Sequence, residues 1–239
     1  MNMTNLNSIK QSARVILNTL KSLKDSMDEQ SEMEQIKREW LTKFFSQLNL
    51  DLKIHGKPDL GRGVLFVGNH IGYLDIPILL STIPQVSFVA KKEIGSWPVF
   101  GSAAKRIDTI FVSRNDKKSR VNAKRQMQRA IENGARIAVF PSGTTSIDES
   151  KPWRIGTFQV AKETQCLVQA FRIHYQPLRK VAYIDRDFFP THLCRLFEEK
   201  SVAASIEFSD VLQIQDPMAD SVRIQQWTQG VYRGETPSQ

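Results

Sequence analysis

The feature that most constrains this chain is a series of short apolar runs, each closed by a turn and separated from the next by a longer stretch. Val64–Val67, Val86–Ala90, Ile110–Val112, Ala135–Phe140 and Leu167–His174 have the length and the β-branched and aromatic content of buried strands. Asp75–Ile83, Lys117–Asn133 and Thr157–Glu163 carry helical spacing between them. In the second of these, Val121, Met127, Ala130 and Ile131 are expected to face inward, with Gly134 as the stop. Val181–Ile184 and Ala203–Phe208 are candidates for two further strands. Strands alternating with helices predict an α/β fold, a mixed and mostly parallel sheet covered by helices. A chain of 239 residues is long enough to bury such a core.

The first 55 residues follow a different rule. They contain neither Gly nor Pro, and apolar residues recur at Leu6, Ile9, Ala13, Ile16, Leu20, Leu23 and Met27, then at Met33, Ile36, Trp40, Phe44 and Leu48. That spacing predicts an N-terminal amphipathic two-helix extension over residues 1–55. It either packs on the body or lies in a membrane interface with Trp40, Phe44 and Phe45 as anchors. An α/β domain over 56–229 and a flexible polar tail over 230–239 complete the expected organisation. No apolar run approaches the roughly 18 residues of a spanning helix, and a signal-peptide layout is absent. The expectation is a cytoplasmic protein, peripheral on a membrane face. Cys166 and Cys194 are too few and too far apart for a disulfide framework or a metal knuckle, and are read as reduced packing residues. No His, Cys or carboxylate cluster has metal spacing, so no metal is expected; His55, His174 and His192 are read as structural or exposed.

Charge is unevenly distributed. The net charge is +8, and residues 91–130 hold eleven Lys or Arg against three acids, while the rest of the chain carries 22 of each sign. A local field of that kind concentrates anionic partners, unless it is only a solvated Lys-rich helix face. Nucleic acid is the weaker reading, because Phe111 is the only aromatic between Gly101 and Ala130 and stacking platforms need interleaved rings. An anionic membrane surface, a phosphorylated small molecule or an acidic carrier protein fits better.

In open α/β sheets, sites collect in the loops that leave the carboxyl ends of strands. Three such loops stand out. Asn69-His70-Ile71-Gly72-Tyr73-Leu74-Asp75 sets a His and an Asp five apart across a strand-to-helix turn. The carboxylate can hold one ring nitrogen while the other takes a proton from a hydroxyl or an amine. The competing reading makes Asp75 a helix cap and His70 a loop residue. Phe140-Pro141-Ser142-Gly143-Thr144-Thr145-Ser146 places a glycine among hydroxyls at a strand end, suited either to a phosphate or to an ordinary turn. Ser113-Arg114 follows a strand directly, where an Arg suits bidentate phosphate binding.

Taken in order, these segments resemble the glycerolipid acyltransferase family with the HxxxxD motif. Gly68-Asn69-His70 through Asp75 is similar to its first block, Ile110-Phe111-Val112-Ser113-Arg114 to its second, and Phe140 through Ser146 to its third, usually written FPEGTRS. Leu167–Ile173 falls where the fourth sits. The resemblance implies His70 as general base and Asp75 as its partner. It implies Arg114, Gly143 and Thr144 as phosphate-binding residues, with Arg154 as a helper and Ser142 and Thr145 as possible acceptor contacts. It further implies acyl transfer from acyl-CoA or acyl-carrier protein, as donor substrates rather than cofactors, to a lysophospholipid hydroxyl. The sequence departs from the pattern in four places. Ser142 stands for the third-block Glu, Thr145 for its Arg, Asp108 for a Gly, and the fourth-block Pro is absent. The departures bear on the acceptor, which the same chemistry allows to be a lyso-aminolipid or another lysophospholipid. A non-catalytic anionic-lipid-binding protein is the remaining alternative.

Overall fold

The computed structural model describes residues 30–97, 100–184 and 187–230 and, ahead of these, only positions 10, 11, 13, 14 and 18. The expected first helical stripe (Leu6, Ile9, Ile16, Leu20, Leu23 and Met27) and the expected tail beyond Gly230 lie outside the described residues. In chain order the elements are α1 (Gln30–Leu48), β1 (Leu50–His55), β2 (Val64–Gly68), α2 (Asp75–Thr82), β3 (Val86–Lys91), a 3-10 turn (Lys92–Ser96), α3 (Phe100–Arg106) and β4 (Ile110–Val112). There follow α4 (Lys117–Glu132), β5 (Arg136–Val139), α5 (Gly156–Thr164), β6 (Leu167–Gln176), α6 (Leu178–Val181), α7 (Phe189–Leu196), β7 (Val202–Leu212) and α8 (Pro217–Gln229).

The strands form one sheet in the order β1-β7-β6-β2-β5-β3-β4. The five from β6 to β4 run parallel; β7 pairs antiparallel with β6 and parallel with β1. Alternation of side chains gives each strand two faces. Val64 and Phe66 of β2, Ala138 of β5, and Phe171, Ile173 and Tyr175 of β6 enter one core layer with α1, α2 and α7. Leu65 and Val67, Ile137 and Val139, and Val168 and Ala170 enter the other, against α4, α5 and α8. Both faces are therefore covered, which is why β2 reads as an unbroken apolar run. The chain leaves β2 toward β3 on one side and leaves β5 toward β6 on the other, although β2 and β5 are neighbours. That reversal opens a crevice at their carboxyl ends.

Several sequence expectations differ from this structure. Residues 50–55 belong to the sheet: Asn49 turns left-handed at φ 47°, ends α1, and sends Leu50–His55 along β7 as an edge strand. Phe44 and Leu48 of α1 are buried on the body, with Trp40 stacked on Phe44 at 5.2 Å. Val181–Ile184 is not a strand. Val181 closes α6, and the next backbone groups bond elsewhere: Tyr183 N–H donates to the Ile71 carbonyl at 3.1 Å and Ile184 N–H to Asp187 Oδ2 at 3.1 Å. Val121 is exposed rather than inward, because the buried stripe of α4 runs through Ala123, Met127 and Ile131 at steps of four. Helices α3, α7 and α8 were not legible as such. Ala203–Phe208 does lie within β7.

Candidate active site

His70 leaves the carboxyl end of β2, and its Nδ1 lies 2.7 Å from Asp75 Oδ2. The loop between them is held by backbone demands. Gly68 admits no side chain, since a Cβ would lie 2.4 Å from the Phe171 ring. Asn69 is fully buried and extends the ladder with its side chain, donating to the Ile173 carbonyl and accepting from the Ile173 N–H, both at 2.8 Å. Asp75 does not cap its own helix. Its Oδ2 also accepts from Ile71 N–H at 2.7 Å and Gly72 N–H at 3.1 Å, and its Oδ1 accepts from Tyr175 Oη at 2.8 Å. A carboxylate surrounded by donors is an acceptor only, so the Nδ1 proton stays between the pair and Nε2 is left as the basic nitrogen. The ring lies flat on Phe140, with centroids 3.9 Å apart and planes 13° apart. The His70 side chain is 21% exposed and Asp75 not at all, so the imidazole meets the cleft and the carboxylate does not.

The loops after β4 and β5 supply the cationic part, Arg114 from the first and Arg154 from the second. Gly143 adopts φ 74°, a left-handed turn that favours glycine. A Cβ there would meet Arg114 Cζ and Nη1 at 3.1 Å and Arg154 Nε at 3.3 Å. Arg114 Nη1 donates to the Gly143 carbonyl. The two guanidiniums thus flank one glycine, and among the described residues no carboxylate forms an ion pair with either. Burial, and then the neighbouring Arg154, hold the Arg114 guanidinium below its ordinary value, while Glu93 pulls the other way. An arginine does not give up its proton under these conditions, so an anion placed between the two guanidiniums would offset their repulsion.

His70, Arg114, Gly143, Thr144 and Arg154 line one cleft of roughly 1260 Å³. The same cleft follows β3 from Val86 to Lys91 and is walled by Ile76 and Leu80 of α2, Ile107 after α3, and Trp40 of α1. Trp97 and Phe100 are also on its wall. Six extended residues span roughly 20 Å, so the apolar part is long. Ser142 and Thr145 border the cleft, but their hydroxyls are turned to the protein: Ser142 Oγ to the Thr144 carbonyl at 3.0 Å and Thr145 Oγ1 to the Tyr183 carbonyl.

Two guanidiniums, a His–Asp pair and an apolar groove thus meet at the carboxyl ends of the central strands. The profile of the family described as Acyltransferase matches residues 51–174, just over half of the chain. The chain belongs to the acyltransferase family. It is 32% identical over 148 residues to a lyso-ornithine lipid O-acyltransferase of Rhizobium meliloti, covering 59% of this chain and 50% of that protein. It is 28% identical over 181 residues to a 1-acyl-sn-glycerol-3-phosphate acyltransferase of Neisseria gonorrhoeae, covering 70% of each. The fold matches the 1-acyl-sn-glycerophosphate (LPA) acyltransferase PlsC of Thermotoga maritima with a TM-score of 0.71 at 16% identity, over 98% of both chains.

Four contributors to this acyltransferase's site escaped the sequence reading. Asn69 and Phe140 lie inside the motif blocks and Tyr175 two residues beyond the fourth, where their partners on other strands gave no signal. Glu149 lies in an unremarkable polar stretch. His192 is structural as expected: it accepts from Tyr73 Oη at 2.9 Å, faces the Ala182 carbonyl at 3.0 Å, and is held below its ordinary pKa by burial.

Proposed function

We propose that this acyltransferase moves a fatty acyl group from an acyl thioester to the hydroxyl of a lysolipid with an anionic head group. The observation that carries this reading is that the His70–Asp75 pair and the Arg114–Arg154 pair open on one cleft with a long apolar wall. The cationic pair takes the head group, by charge-assisted hydrogen bonds to phosphate or carboxylate oxygens. The apolar wall takes a fatty chain. His70 Nε2 removes the proton from the lysolipid hydroxyl as its oxygen attacks the thioester carbonyl. The tetrahedral intermediate collapses with loss of the thiolate, and the His70 imidazolium returns the proton to that sulfur. The products are the new ester and the free thiol. Asp75 stabilises the imidazolium and keeps the ring's tautomer through both halves.

The acceptor class follows from charge rather than from one head group. Relatives are named for lyso-ornithine lipid and for 1-acyl-sn-glycerol-3-phosphate, and both acceptors present an anion to two arginines. Ser142 and Thr145 favour the aminolipid as a second reading, since the third block has lost one charge of each sign and both hydroxyls serve the loop. Coenzyme A and acyl-carrier protein are both donors of suitable chemistry, and the basic outer face of α4 would steer either. No helix among the described residues is long and apolar enough to cross a membrane. The lipid acceptor is what puts the proposed reaction at a membrane surface, and the cytoplasmic face is part of this proposal.

The test is a labelled acyl donor offered with lysophosphatidic acid, lyso-ornithine lipid and monoacylglycerol. His70→Ala is expected to abolish transfer with an unchanged unfolding temperature; retained turnover would sink the mechanism. Equal rates on the uncharged monoacylglycerol would remove the anion site.

A further inference from the structure

One buried carboxyl has no part in the proton path above and yet touches both loops of the site. Glu149 lies between β5 and α5 and is fully buried. Its Oε1 accepts from Trp153 Nε1 at 2.9 Å. Its Oε2 faces the backbone N–H of His70 at 3.5 Å, a long contact, and the Ser142 hydroxyl lies close enough to the same carboxyl to favour its charged form. Ser142 Oγ in turn reaches the Thr144 carbonyl at 3.0 Å. The proposed base and the anion-binding turn are thus joined through one side chain.

The backbone of Glu149 is fixed from outside the site. It sits at φ 50°, a conformation that side chains adopt at a cost and that persists where surroundings over-determine it. Its N–H donates to Ser146 Oγ at 2.8 Å, and its carbonyl accepts from Gln225 and Gln229 of α8 at 2.7 and 3.1 Å. Ser146 N–H donates to the His70 carbonyl at 2.8 Å, which closes a second path between the loops. An apolar residue would fill the same space without burying a carboxyl, so volume alone does not account for a glutamate. Burial pushes the Glu149 carboxyl up, opposed by the Trp153 and Ser142 hydrogen bonds and by His70.

We propose that Glu149 is a positioning residue, whose carboxyl ties the backbone of His70 to the Ser142–Thr144 turn and so holds base and anion site in one geometry. This rests on the function proposed above. Ser142 occupies the place where the family's third block carries a glutamate, and Glu149 returns a carboxyl to that loop from seven residues further on.

Glu149→Gln tests it. The amide keeps the volume and an acceptor for Trp153, but sets an NH2 group against the His70 N–H. With lysophosphatidic acid and lyso-ornithine lipid as acceptors, kcat is expected to fall on the order of 10–100-fold, the scale of a slightly misplaced base. Acceptor KM should change far less, and the unfolding temperature should not fall far below that of the parent. Ile214→Ala, in the core after β7 and away from the cleft, is the control: it should lower the unfolding temperature and leave kcat intact. A Glu149→Gln enzyme with parental kcat overturns the proposal, as does a kcat loss that Ile214→Ala reproduces. If His70→Ala is inactive while Glu149→Gln is not impaired, only this inference falls; if His70→Ala stays active, the functional reading falls with it.

Discussion

Replacing Asp75 by Asn separates the charge of the carboxylate from its geometry. Asp75 is fully buried with three donors on Oδ2 and one, Tyr175 Oη, on Oδ1. In Asp75→Asn the amide oxygen can face the loop and keep His70 Nδ1, Ile71 N–H and Gly72 N–H. The NH2 group then points at Tyr175, whose hydroxyl rotates to accept. The three donors on Oδ2 keep their acceptor and only the Tyr175 hydroxyl proton loses one, so the fold and the histidine tautomer survive. What is lost is charge assistance, since hydrogen bonds to an ion contribute about 1.5–3 kcal/mol against about 0.5–1.5 for neutral ones. The loss matters most when His70 becomes imidazolium, where a counter-charge roughly 4 Å away contributes up to about 4 kcal/mol at an effective dielectric near 20. A barrier increase of about 2–4 kcal/mol follows, or a kcat lower by roughly 30- to 1,000-fold. Asp75→Ala instead strands four buried donors at about 1–3 kcal/mol each. For a chain of this size, even 4 kcal/mol lowers the unfolding temperature by roughly 8–16 °C. Initial rates with a labelled acyl donor and calorimetric unfolding of both variants give the answer. Parental activity in Asp75→Asn would refute the role of the charge. A loss as complete as that of His70→Ala would refute the amide orientation, because it would mean that the NH2 group had turned to the ring.

Gly143→Ala forces a side chain into a left-handed turn, which costs about 1–2 kcal/mol, and pushes on both guanidiniums. Acceptor KM should rise several-fold with little change in kcat, measured against acceptor concentration. The stability of Glu149→Gln relative to the parent should depend on pH. A folded-state pKa raised by burial gives the parent a contribution that is full below the ordinary carboxylate value of about 4.3 and lost as pH rises through the raised value. The unfolding temperature of Glu149→Gln minus that of the parent should therefore be flat in acid and climb above that point, as read by thermal melts from pH 4 to 8.

The parts of the site that were legible in sequence are those whose chemistry is local. His70 and Asp75 lie within one turn of chain, and Gly143 needs its left-handed angle whatever surrounds it. Ser142 and Thr145 were legible as positions but not as roles, because each hydroxyl found a backbone carbonyl that only the folded loops bring near. Val121 misled because it is a good apolar residue on the wrong side of α4, and a helix in isolation does not say which side the sheet will cover. Leu50–His55 joined the sheet because β7 offered it an edge, and that partner lies some 150 residues away in sequence.

By itself, the sequence determined the alternation of strands and helices, the order of the motif loops, and the confinement of excess charge to residues 91–130. These follow from periodicity and residue type, which are properties of neighbours along the chain. Tertiary structure alone decided that Arg114 and Arg154 share one glycine, that Tyr175 holds Asp75 from the far end of β6, and that Glu149 stands under both loops. A buried polar group must find a partner wherever the chain supplies one, and which partner comes within reach is fixed by the reversal of strand order between β2 and β5.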